Sequence, residues 1–162
     1  MILYNVPSRT GCNLLPSTCA KLAEHPNIAA IKEASGNMAQ VMDIFALCGD
    51  KLDVYSGEDG LVVPMLSMGG AGCISVLSNV APRQAVALTD KFFAGDVAGA
   101  AKLQCALLPL VKALFSEVNP IPVKAAASAM GYGEEILRLP MTKMEDTTRA
   151  VLFDEMKKLG VL

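Results

Sequence analysis

Short apolar runs alternate with longer stretches of helical spacing through the first part of the chain, the pattern of consecutive strand–helix units. Four runs read as strands: Ile2 to Val6, Ile28 to Lys32, Leu52 to Tyr55 and Gly72 to Leu77. Their separations suit a strand, one helix and two short loops, which predicts a parallel α/β sheet. Helix starts are legible at Pro16 before Ser17 to Glu24, at Asn37 before Met38 to Cys48, and at Pro82 before Arg83 to Phe93. After Ala94 and Gly95 the strands stop. Helical segments over Ala98 to Phe115, Pro122 to Met130 and Asp146 to Leu159 follow, joined by the proline-bearing connections Asn119 to Pro122 and Leu139 to Met141. The organisation read from this pattern is half of a (β/α)8 barrel over residues 1–95 and an all-helical region over 96–162. A complete barrel needs about 250 residues. Four strands alone leave two apolar edges, so such a half should be sticky. An open doubly wound sheet fits the element count, but Pro7-Ser8-Arg9-Thr10-Gly11 after the first strand is not the glycine-rich phosphate loop such sheets usually carry.

Composition narrows the partners. The 162 residues are 52% hydrophobic and 19% charged, with a net charge of -2 and no basic stripe, which argues against nucleic acid. Five scattered cysteines without a C-x-x-C pair cannot form a fully paired disulfide framework, and a reducing cytoplasm fits best. The longest apolar stretch, Cys105 to Phe115, is broken by Pro109 and Lys112, so a soluble protein off the membrane is expected. Met1 opens directly in strand-like sequence without a targeting pattern, which reads as a cut end.

Lys32 carries the most chemistry. It closes the apolar run Ile28 to Ile31 and should stand at the end of a buried strand, where desolvation disfavours an ammonium and favours a neutral amine able to attack a carbonyl. A strand-end lysine can also snorkel its head into water, so position alone leaves both readings open. Gly57-Glu58-Asp59-Gly60 is read as a helix start rather than a metal site, because two adjacent acids point in different directions. His25 is the only histidine and sits beside Pro26, which leaves no zinc cluster and no Ser-His-Asp arrangement. Met38, Met42, Met65 and Met68 are read as core fillers, and Cys12, near the arginine loop, as a packed or idle thiol ahead of a reactive one.

The segments ILYNVPSRTG (2–11), IAAIKEASGN (28–37), YSGEDG (55–60), GGAGCISVLSNV (69–80), NPIPVK (119–124) and LRLPM (137–141), in that order, resemble the C-terminal portion of dihydrodipicolinate synthases. These are members of the pyruvate-dependent class I aldolase superfamily. The resemblance covers essentially the whole chain. It implies the C-terminal half of a TIM barrel followed by helices, and a condensation of pyruvate with aspartate semialdehyde in lysine and diaminopimelate biosynthesis. It implies Lys32 as the Schiff-base nucleophile and Tyr4 as the proton-carrying phenol. Arg9 then grips the semialdehyde carboxylate and the backbone carbonyl of Ile74 contacts pyruvate. Without the resemblance, Tyr4 is a strand aromatic, Arg9 a solvated loop arginine and Ile74 a core residue. No metal and no cofactor are implied, and the complete protein is expected to be a homo-oligomer, a tetramer or a dimer.

The family's N-terminal half carries a threonine motif that holds the pyruvate carboxylate, a second tyrosine that completes the proton relay across a subunit interface, and a groove where lysine inhibits. None of these motifs is in this sequence, so weak or absent turnover by this chain is expected. Two other readings stand beside this one. One is a non-catalytic half-barrel interaction module; the other is a different pyruvate aldolase of the sialic-acid-lyase kind, although those enzymes lack the arginine matched by Arg9.

Overall fold

The computed structural model describes residues 1–162, which divide into two compact units, Met1–Ser75 and Val76–Leu162. The first holds four parallel strands in the order β1 (Ile2–Asn5), β2 (Ala30–Glu33), β3 (Asp53–Ser56) and β4 (Gly72–Cys73). Each strand lies beside its predecessor in sequence. Helices α2 (Pro16–Leu22), α3 (Met38–Cys48) and α4 (Val62–Ser67) form the crossovers. A right-handed connection repeated in one direction puts every crossover helix on the same face of a sheet. Accordingly Cys19, Ile31, Val41, Ile44, Cys48, Leu52, Val54 and Met65 gather into one buried cluster from α2, α3, α4 and the sheet's helix-facing side. On the opposite side Ile2 and Tyr4 are 55% and 51% exposed.

The expected strands and helices are present with small shifts of boundary. One element was not anticipated, α1 (Pro7–Thr10), a single turn ending at Gly11 in the left-handed region (φ 66°); α4 is the helix that the third strand–helix unit implies, in the place the acidic pair marks as a helix start. β4 is shorter than the Gly72–Leu77 run suggests. Its pairing with β3 lasts one bond beyond Cys73, where the Ile74 N–H donates to the Ser56 carbonyl at 2.8 Å, and residues 77–79 then turn into a 3₁₀ helix. Asn37 caps α3, its side-chain oxygen accepting from the Gln40 N–H at 3.2 Å. Asn37→Ala should lower stability by about 1 kcal/mol, read as a lower urea midpoint at unchanged slope. Glu58 likewise accepts from the Gly60 N–H (3.3 Å), with Asp59 in the first turn of the 3₁₀ segment Asp59–Leu61, so this acidic pair starts a helical turn. Met65 is buried as expected, whereas Met42 lies on the outer side of α3 and is 53% exposed.

The second unit contains α5 (Pro82–Phe93), α6 (Val97–Leu114), α7 (Ile121–Ala129) and α8 (Asp146–Lys158), with no strand. The strand–helix repeat places a boundary after Gly95, but packing groups α5 with the helices that follow, since its main partner is α6. α6 is continuous through Pro109 and is, by length and composition, apolar enough to cross a membrane, contrary to the expected interruption. Leu107, Leu110 and Leu114 recur on one buried face against α5, α7 and α8, which is the pattern of a core helix. Arg149 of α8 pairs with Glu135 at 2.6 Å, and this bond holds the Glu135 carboxyl below its ordinary range.

Candidate active site

Strand register assembles the site. Tyr4, Lys32 and Tyr55 are direct partners across β1, β2 and β3, so their side chains emerge on one face of the sheet near the C-terminal strand ends. The Lys32 Nζ lies 4.4 Å from the centroid of the Tyr4 ring. Lys32 is half-buried, less enclosed than the apolar run suggests, while Ile31 and Glu33 on either side of it face the helices at 0% and 1% exposure. Strand alternation turns Ile31 and Glu33 toward the helices and Lys32 away from them, onto the face where Ala30 is buried but the longer lysine reaches out.

Arg9 is exposed in the last turn of α1, directly after β1, and Ile74 follows β4 at 37% exposure. Both lie at the end of the sheet that carries Lys32. In parallel barrels this is where chemistry converges.

Two further residues border Lys32. Tyr55 flanks it in register from β3. Gly57 lies so close that a Cβ there would meet Lys32 Cε and Cγ at 3.0 Å and Ala34 Cβ at 2.8 Å, so the absence of a side chain is what lets the lysine run past β3. Gly57 went unrecognised in the sequence because it opens the Gly-Glu-Asp-Gly segment, whose turn chemistry accounts for a glycine on its own. The signal available was its place, immediately after the strand in register with Lys32.

The thiols near the site are inert or peripheral. Burial pushes the Cys19 thiol up to about 11, with Cys48 and Glu33 adding to the effect, and burial also raises Cys48. Cys12 is exposed rather than packed, in a turn where the Thr10 hydroxyl donates to its carbonyl at 2.9 Å. Thiol labelling of the native chain at pH 8 should therefore modify Cys12 and the exposed Cys105 first, and Cys19 and Cys48 only after denaturation, as peptide mapping would report.

A parallel sheet in sequential order, helices on one face and a lysine–tyrosine pair at the C-terminal strand ends define an α/β protein of the barrel class. The chain belongs to the dihydrodipicolinate synthetase family, whose model matches residues 1–159. A 4-hydroxy-tetrahydrodipicolinate synthase of Lachnoclostridium phytofermentans is 54% identical over 163 residues, an alignment covering 100% of this chain and 55% of that protein. One from Geobacter sulfurreducens is 50% identical over 161 residues, covering 99% and 56%. The crystal structure of dihydrodipicolinate synthase from Thermotoga maritima superposes with a TM-score of 0.96 at 42% identity, covering 99% of this chain and 56% of that one. The chain thus spans little more than half the length of the relatives it matches.

Proposed function

We propose that this chain supplies the nucleophile-bearing half of a 4-hydroxy-tetrahydrodipicolinate synthase site, the C-terminal part of its barrel with the helices that follow. Lys32 attacks the ketone carbon of pyruvate, and loss of water from the carbinolamine gives an imine on Nζ. Removal of a methyl proton converts the imine to an enamine, which adds to the aldehyde carbon of aspartate semialdehyde. Tyr4 moves protons for these steps from its place beside the amine. Arg9 offers the planar two-donor fork suited to the semialdehyde carboxylate, and the Ile74 carbonyl faces bound pyruvate. The observation that carries this reading is the Lys32 amine over the Tyr4 ring at 4.4 Å, between directly registered strand partners.

The motifs that hold the pyruvate carboxylate and complete the relay lie in the family's other half. Losing that positioning can be worth on the order of 7 kcal/mol or more. Weak turnover by this chain alone follows, with full activity in a complete, oligomeric barrel in a reducing cytoplasm.

The test is intact mass after incubation with pyruvate and borohydride. A pyruvate-derived adduct on Lys32 supports the reading. A folded chain that forms none, but does so once a polypeptide of the family's remaining half is added, has a site completed in trans. No adduct in either condition overturns the proposal.

A further inference from the structure

The sheet has a second polar constellation, on the face away from Lys32. One residue beyond Tyr4 and Lys32, Asn5 and Glu33 form the next registered pair, both 1% exposed. The Asn5 amide nitrogen donates to Glu33 Oε2 at 2.9 Å and to Asn13 Oδ1 at 3.0 Å, and its oxygen accepts from the Leu14 N–H at 2.9 Å. Glu33 Oε1 accepts from the Ser35 N–H at 2.6 Å. Asn13 and Gln40 close the chain by exchanging two bonds, 2.7 Å and 3.1 Å. One connected set of amides and a carboxylate therefore ties the ends of β1 and β2, the return of the Arg9 loop at Asn13 and Leu14, and the first turn of α3.

Stability alone does not account for such a group. Burying a carboxylate is costly even when it is hydrogen-bonded, and well-packed apolar replacements of buried charges are often neutral or stabilising. What a carboxylate–amide pair adds is direction, because its donors and acceptors match in only one register and one spacing. The pair stands at the last rung of the β1–β2 ladder, where strands begin to fray, and one residue from the lysine and the tyrosine on the opposite face.

We infer that Glu33 and Asn5 are positioning residues: a hydrogen-bonded strut behind the sheet that holds the Lys32 amine over the Tyr4 ring and fixes the return of the loop carrying Arg9. This deepens the Schiff-base reading and rests on it for its chemical meaning. The strut touches no reacting atom. It acts by denying the two strand ends any other spacing.

The test uses the full chain with isotope-labelled lysine. A methylene beside Nζ held over an aromatic ring carries an upfield ring-current shift, which Lys32→Ala would assign. Glu33→Gln keeps the shape but turns one acceptor into a donor facing Asn5 or the Ser35 N–H. The folded variant is expected to lose the Lys32 shift and to trap pyruvate about tenfold more slowly or worse. A purely stabilising role would instead lower the urea midpoint of the folded variant and leave both readouts unchanged. A folded Glu33→Gln that keeps the shift and the rate overturns the inference. Should Glu33→Gln not fold, Asn13→Ala, at the exposed end of the network, decides: a diminished shift supports the strut and an unchanged one overturns it. A wild-type chain that shows the ring shift yet forms no adduct under any condition sinks the aldolase reading, while the shift still decides the strut.

Discussion

Lys32→Ala and Lys32→Arg are both expected to abolish the borohydride-trapped pyruvate adduct while leaving the urea midpoint close to that of the unmodified chain. The alanine result follows from removal of the nucleophile. The arginine result is the sharper one, because arginine keeps a long cationic side chain able to lie over the Tyr4 ring, where the Lys32 Nζ now stands at 4.4 Å. A guanidinium is not deprotonated in proteins and cannot form the imine. Stability should change by no more than about 0.5 kcal/mol, since the side chain is half-buried and leaves the core face untouched. Intact mass with peptide mapping reads the chemistry and denaturant unfolding reads the fold. An adduct that persists in Lys32→Arg would move the nucleophile to another lysine and dismantle the proposed site.

The largest effect on stability is expected one residue earlier. Ile31 is 0% exposed and packs within the cluster formed with Val41, Ile44, Val54 and Met65. Truncation to alanine removes three carbons from the centre of the only layer between sheet and helices in this unit. The cost should be about 2–5 kcal/mol, against about 0.5–1.5 kcal/mol for Ile31→Val. Native domains have about 5–15 kcal/mol in total, so Ile31→Ala brings the first unit close to its unfolding threshold. Urea titration followed by circular dichroism gives both values. A loss below that of the valine variant would mean the helices close over the gap, and the core would then be softer than its burial indicates.

Much of the sheet was readable because parallel strands buried on their helix face announce themselves as short apolar runs, and because Pro16, Asn37 and Pro82 mark helix starts by their own chemistry. α1 was not readable because it is a single turn, and the bounds of α4 were not, since its six residues lie within an apolar stretch where period does not separate helix from strand. The meeting of Lys32 with Tyr4 needed register, a pairing between segments 28 residues apart that no local pattern encodes. Resemblance identified both residues, but only the strand pairing accounts for their contact. Gly57 and the Asn5–Glu33 strut escaped for a related reason. Their meaning lies in what stands across from them, and along the chain they look like a turn glycine and two ordinary polar residues.

The sequential order β1, β2, β3, β4 has a consequence for how the molecule is made. Each strand pairs with the one before it, so every addition during synthesis finds a template already laid down, and no strand must be inserted between two others. The closures needed are all of similar, modest length, so the sheet can grow stepwise in the order of translation, one strand–helix unit at a time.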